Sequence, residues 1–119
     1  MLDKVLKIGL LLDFYGALLT EKQQQCLEIH YLHDLSLSEI ASEFKVSRQA
    51  VHDILKRAEQ ILIEYEDKLK LVERYQQEQQ IIKQTYDLVG NLPTELHNIA
   101  EIQLIKQKLA SLIDKSEEV

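Results

Sequence analysis

Apolar residues recur at steps of three and four through almost the whole chain, the period of helices with one buried face. Leu2, Val5, Leu6, Gly9, Leu12 and Tyr15 predict a first helix that ends near Gly16. Thr20 followed by Gln23 is a capping box, and the stripe Cys26, Leu27, Ile29 and His30 carries a second helix to about Tyr31, with Asp34 and Leu35 as its exit. Ser36 with Glu39 repeats the box and starts a third helix near Leu37, whose inner face is Ile40, Ala41 and Phe44. The small Ala41 stands where two steeply crossing helices need close backbone approach. Lys45 and Val46 then make a turn, and Ser47 caps a fourth helix with Ala50, Val51, Ile54, Leu55 and Ala58 facing inward.

From Ile61 to Gly90 nothing in the sequence stops a helix, and Tyr65, Leu69, Val72, Tyr75, Gln79, Ile82, Tyr86 and Val89 hold the spacing, so one long helix is expected. After the break Gly90-Asn-Leu-Pro93, the stripe Leu96, Ile99, Ile102, Ile105, Leu109 and Leu112 predicts a last helix, with fraying after Asp114. The expected fold class is all-α. A helix-turn-helix domain spans residues 1–60, and residues 61–119 form a helical hairpin whose seams pack on each other or on a second copy, most simply in a homodimer.

At 119 residues with 45% hydrophobic content, the chain can supply one compact domain with an appendage. The single Cys26 has no internal disulfide partner and falls within an apolar stripe, where a buried thiol in a reducing compartment is expected. The Ile8 to Leu12 run is bounded by Lys7 and Asp13, far short of the ~18 apolar residues of a membrane span. Asp3 and Asp13 also argue against a signal peptide, so a cytoplasmic protein is expected.

Two short helices around a tight turn, from Ser36 to Arg57, form the motif that presents its second helix to a nucleic-acid groove. Ser47, Arg48 and Gln49 lie at that helix's amino end, His52 one turn on, and Lys56 and Arg57 beyond. Arg48 offers a fork for guanine edges or phosphate, Gln49 can pair with adenine, and Lys56 and Arg57 can hold the backbone. These six residues are the candidate contact set. The chain's net charge of −6 and its pI of 5.2 oppose the motif, since phosphate contacts carry much of such affinity. Glu39, Glu43 and Asp53 crowd negative charge around the same surface, and Asp53 has the four-residue spacing to pair with Arg57.

The run Leu19-Thr-Glu-Lys-Gln, then Tyr31, Leu37-Ser-Glu-Ile-Ala and Val46-Ser-Arg-Gln-Ala-Val, resembles region four of bacterial sigma factors, the promoter-reading part. Beyond it, Leu11-Leu-Asp-Phe-Tyr-Gly, Leu18-Leu-Thr-Glu-Lys-Gln, Asp34-Leu-Ser-Leu-Ser-Glu-Ile-Ala, Ser47-Arg-Gln-Ala-Val-His-Asp, Lys56-Arg-Ala-Glu and Tyr65-Glu-x-Lys-Leu resemble the YlxM family over essentially the whole chain. That resemblance implies a regulatory or accessory part in the signal recognition particle pathway, with DNA, the particle's RNA or its protein subunit as partner. One departure bears on the turn: at Lys45 the sigma-like pattern commonly has glycine. A lysine there costs about 1 kcal/mol in a left-handed backbone, so a slightly remodelled turn is expected.

Other chemistry is weak. His30 and His33 with Glu28 are too few ligands to predict a metal site, and no phosphate loop, nucleophile elbow or cofactor motif occurs. Catalysis is not expected. A rival reading keeps the helix-turn-helix as scaffold and docks the acidic helices, through Glu73, Glu78 and Asp87, on a basic protein. Tyr75 and Tyr86 are the expected interface anchors.

Overall fold

A computed structural model describes residues 2–114. The fraying expected after Asp114 lies outside the described residues. The order is α1 Leu2–Tyr15, a 3-10 turn Gly16–Leu18, α2 Glu21–Leu27 continuing as a π-helical segment Glu28–Leu32, α3 Leu37–Phe44, α4 Arg48–Leu69, α5 Leu71–Gly90, a 3-10 segment Thr94–Asn98 and α6 Ala100–Leu112. The chain divides into two compact units, one reaching to Val72 and the other starting at Glu73.

The helix starts follow the sequence closely because the caps are local. Thr20 Oγ1 accepts the Gln23 amide at 3.2 Å while Gln23 Oε1 accepts the Thr20 amide at 3.0 Å. Ser36 and Glu39 reciprocate in the same way at 3.1 Å each, and hydrogen bonding from Ser36, its backbone amide first, holds the Glu39 carboxyl below its usual range. Each box satisfies backbone amides that a helix start otherwise leaves without partners.

The core of the first unit is a single cluster drawn from α1 to α4 and the start of α5. Along α1 it uses a stripe displaced from the expected one, because Ile8 and Leu11 are buried while Leu6 is 60% exposed. The helix is apolar on two neighbouring arcs, and contact with α4 selects between them. From α2 come Cys26 and Leu27, and from α3 come Ile40 and Ala41, which let α3 cross α4 closely. Val51, Leu55, Ala58 and Leu62 make the buried face of α4, whereas Ala50 and Ile54, also expected inside, are half-buried at its edge.

The long helix expected from Ile61 to Val89 is broken at Lys70, which takes a left-handed backbone with φ 56 and ψ 29. A polar knot holds the break. The Tyr15 hydroxyl donates to Glu66 Oε1 at 2.6 Å and accepts the Leu71 amide at 3.1 Å, while Val72 donates to the same carboxylate at 3.0 Å. Two amides at the start of α5 thus find acceptors on α1 and α4, and the negative charge stands at the positive end of α5. Tyr15 also stacks on Tyr65 with ring centroids 5.9 Å apart.

In the second unit, α5 and α6 run antiparallel. The buried Gln79 donates to the Leu112 carbonyl at 3.0 Å and accepts the Asp114 amide at 2.8 Å, and Tyr75 donates to Asp114. Lys106 lies 6.0 Å over the Tyr86 ring. Tyr75 and Tyr86, expected as interface anchors, make these contacts within the hairpin and stay half-buried. Every buried apolar residue among the described ones lies at or before Val72, so this hairpin has no sealed core of its own.

Candidate nucleic-acid interface

The surface is built by α3, the turn and the first three turns of α4. Lys45 ends α3 at φ 57 and ψ 45, and the Val46 amide reaches back to the Ala41 carbonyl at 3.1 Å. The expected remodelling does not occur: lysine adopts the glycine-like conformation and bears its strain. Ser47 then caps α4, its Oγ accepting the Ala50 amide at 3.0 Å, so this candidate contact residue is also the residue that starts the helix.

Arg48, Gln49 and His52 converge with Leu37 around an open depression of about 370 Å³. Lys56 follows one turn after His52 and is exposed; by helical phase Arg48, His52, Gln49 and Lys56 share an arc about 100° wide. Arg57 leaves this group. It lines a separate open groove of about 440 Å³ with Leu18, Thr20, Gln23, Ile61, Tyr65 and their neighbours Glu64 and Lys68. The sequence reading missed this groove, because its walls come from the 3-10 turn, α2 and the middle of α4, which no local pattern brings together.

Asp53 is engaged otherwise than expected. Its Oδ1 accepts from Gln49 Nε2 at 3.0 Å and lies 3.6 Å from His52 Nδ1, whereas the anticipated bond to Arg57 is not formed. The four-residue step toward the amino end places Gln49 beside Asp53, and the arginine turns to the groove instead. Asp53 therefore holds the amide that would read a base and adds a negative charge beside it.

The other charged cluster of this unit is structural. Tyr31 of the π segment donates to Glu59 of α4, and Lys4 of α1 reaches Glu59 at 3.6 Å and the Tyr31 ring at 5.7 Å. Burial, followed by the bond to Glu59, pushes the Tyr31 phenol above its ordinary value. His30, weighed as a metal ligand, has Nδ1 2.8 Å from the Leu35 carbonyl, and among the described residues no group of three metal-ligating side chains forms.

An all-α chain with Ser47-capped α4 set across α3 is a helix-turn-helix protein. Residues 2–105 match the profile of UPF0122, described as "Putative helix-turn-helix protein, YlxM / p13 like", and the chain belongs to that family. Similar relatives are UPF0122 proteins. One from Halalkalibacterium halodurans is 49% identical over 94 residues, covering 79% of this chain and 86% of the relative. A Bacillus thuringiensis relative is 43% identical over 112 residues, 94% and 99% of the two chains, and one from Desulforamulus reducens is 54% identical over 83 residues, 70% and 71%.

Proposed function

We propose that the chain is a nucleic-acid-binding regulatory or accessory protein of the signal recognition particle pathway, acting in the cytoplasm by binding and not by catalysis. The helix-turn-helix family supports nucleic-acid binding, and the pathway follows from the resemblance to the YlxM family. One observation carries the surface. Among the described α-helices, α1, α2, α3, α5 and α6 each have an acidic residue in the first turn, and α4 has none. Its positive pole, flanked by Arg48, is left open to an anion, as a phosphate contact requires. Arg48, Gln49, His52 and Lys56 form the contact arc with Ser47 at its head, and Arg57 meets the backbone from its side groove. The ligand is DNA or the particle's RNA. No described helix is long and apolar enough to cross a membrane.

Self-association through the α5–α6 hairpin belongs to this reading, since the hairpin lacks a sealed core. The second reading, docking of the acidic hairpin on a basic protein such as the particle's protein subunit, draws on the net charge of −6 and on the exposed Glu73, Glu78 and Asp87.

Fluorescence anisotropy against a duplex from the protein's own operon, the particle RNA and a scrambled duplex, repeated across salt, tests the proposal. Preference for one ligand with steep salt dependence is the expected result. Arg48→Ala with Lys56→Ala should weaken binding and reduce the salt slope by about two, one per lost phosphate contact. Unchanged binding in that variant overturns the surface, and no binding to any ligand turns the search to the basic protein.

A further inference from the structure

α6 carries two apolar faces, and the hairpin covers one. Ile102 and Leu109 are half-buried, whereas Leu104, Ile105 and Leu112 are 51%, 42% and 56% exposed. By helical phase these three share an arc about 100° wide, and Glu101 and Lys108 fall within the same arc. Both charged residues are exposed. The positions three and four residues after Glu101, and before Lys108, are Leu104 and Ile105, so neither charge meets the other along the helix. Neither belongs to an ion pair among the described residues. The face is thus an apolar patch with one negative and one positive charge set two turns, about 10.5 Å, apart.

We propose that this face binds a second copy of itself, α6 against α6 in antiparallel orientation, about a two-fold axis passing between Leu104 and Ile105. This deepens the self-association reading above and is independent of the nucleic-acid surface. In that register Leu104 meets Ile105 of the second copy, and Glu101 lies opposite Lys108 of the second copy. Symmetry makes both ion pairs at once, the mark of a self-complementary isologous patch. A parallel arrangement would set glutamate on glutamate and lysine on lysine, which is repulsive. A uniformly acidic or basic partner would likewise leave one of the two charges against its own sign. The leucine and isoleucine side chains supply the driving force, and the rim charges fix the register.

Sedimentation velocity of the full chain without nucleic acid, over a range of concentrations, reads the association directly. Circular dichroism confirms that the exposed substitutions leave helicity unchanged. The expected result is a wild-type dimer, with Glu101→Lys and Lys108→Glu each weakening self-association by about tenfold or more. An equimolar mixture of the two variants should recover the dimer, because lysine at position 101 of one then faces glutamate at position 108 of the other, and the reverse pair is restored. A monomeric wild type, single variants that dimerise like the wild type, or a mixture that fails to recover would each overturn the proposal. Loss of nucleic-acid binding with the dimer intact would count against the α4 surface alone.

Discussion

Lys45 and Asp53 each oppose a simple helix-turn-helix in a measurable way. Lys45 sits at φ 57 with a side chain that the left-handed region disfavours. Lys45→Gly should raise the unfolding free energy by about 0.5–1 kcal/mol, read from the midpoint of urea denaturation at unchanged slope. A lower midpoint would show that the lysine side chain gives back more than its backbone costs. Asp53 binds the Gln49 amide and adds a negative charge to the contact arc. Asp53→Asn should therefore tighten nucleic-acid binding several-fold at low salt, with the gain shrinking as salt rises. Equal affinity at every salt concentration would remove Asp53 from the interface.

Helix starts were legible from sequence wherever the cap is local, as at Thr20, Ser36 and Ser47, since side chain and amide lie within three residues. The break at Lys70 was not legible. It has neither glycine nor proline, and the knot that holds it joins Tyr15 to Glu66, distant in sequence. The candidate contact arc was legible for the same reason as the caps: Arg48, His52 and Lys56 follow from helical phase once Ser47 sets the start. The departure of Arg57 was not, because the groove that takes it is made by α2 and the 3-10 turn. At the knot, burial and then the bond to Glu66 push the Tyr15 phenol above its ordinary 10.0. A phenol whose folded value is raised stabilises the fold fully below the unfolded value of about 10 and loses that contribution as pH rises through the folded value. Tyr15→Phe should cost about 1–2 kcal/mol at neutral pH through the lost hydrogen bonds. The gap between wild type and variant should narrow above pH 10, as followed by chemical denaturation; a constant gap would place the ionising group elsewhere.

As a whole, the molecule joins a unit with a sealed core to a hairpin whose apolar faces remain half-covered. If a second copy covers the hairpin, the thermal midpoint must rise with protein concentration, whereas a monomer unfolds at one temperature whatever its concentration. Differential scanning calorimetry over a hundredfold dilution separates the two. Cys26, fully buried among the residues of the first unit and with its thiol pushed up by burial, adds a private clock to that unit. No other sulfhydryl exists in the chain, so a thiol reagent can label it only when the core opens, and the rate of modification times that opening. Set beside the loss of helical signal from both units, this clock tells whether the helix-turn-helix unit and the hairpin come apart together or one after the other.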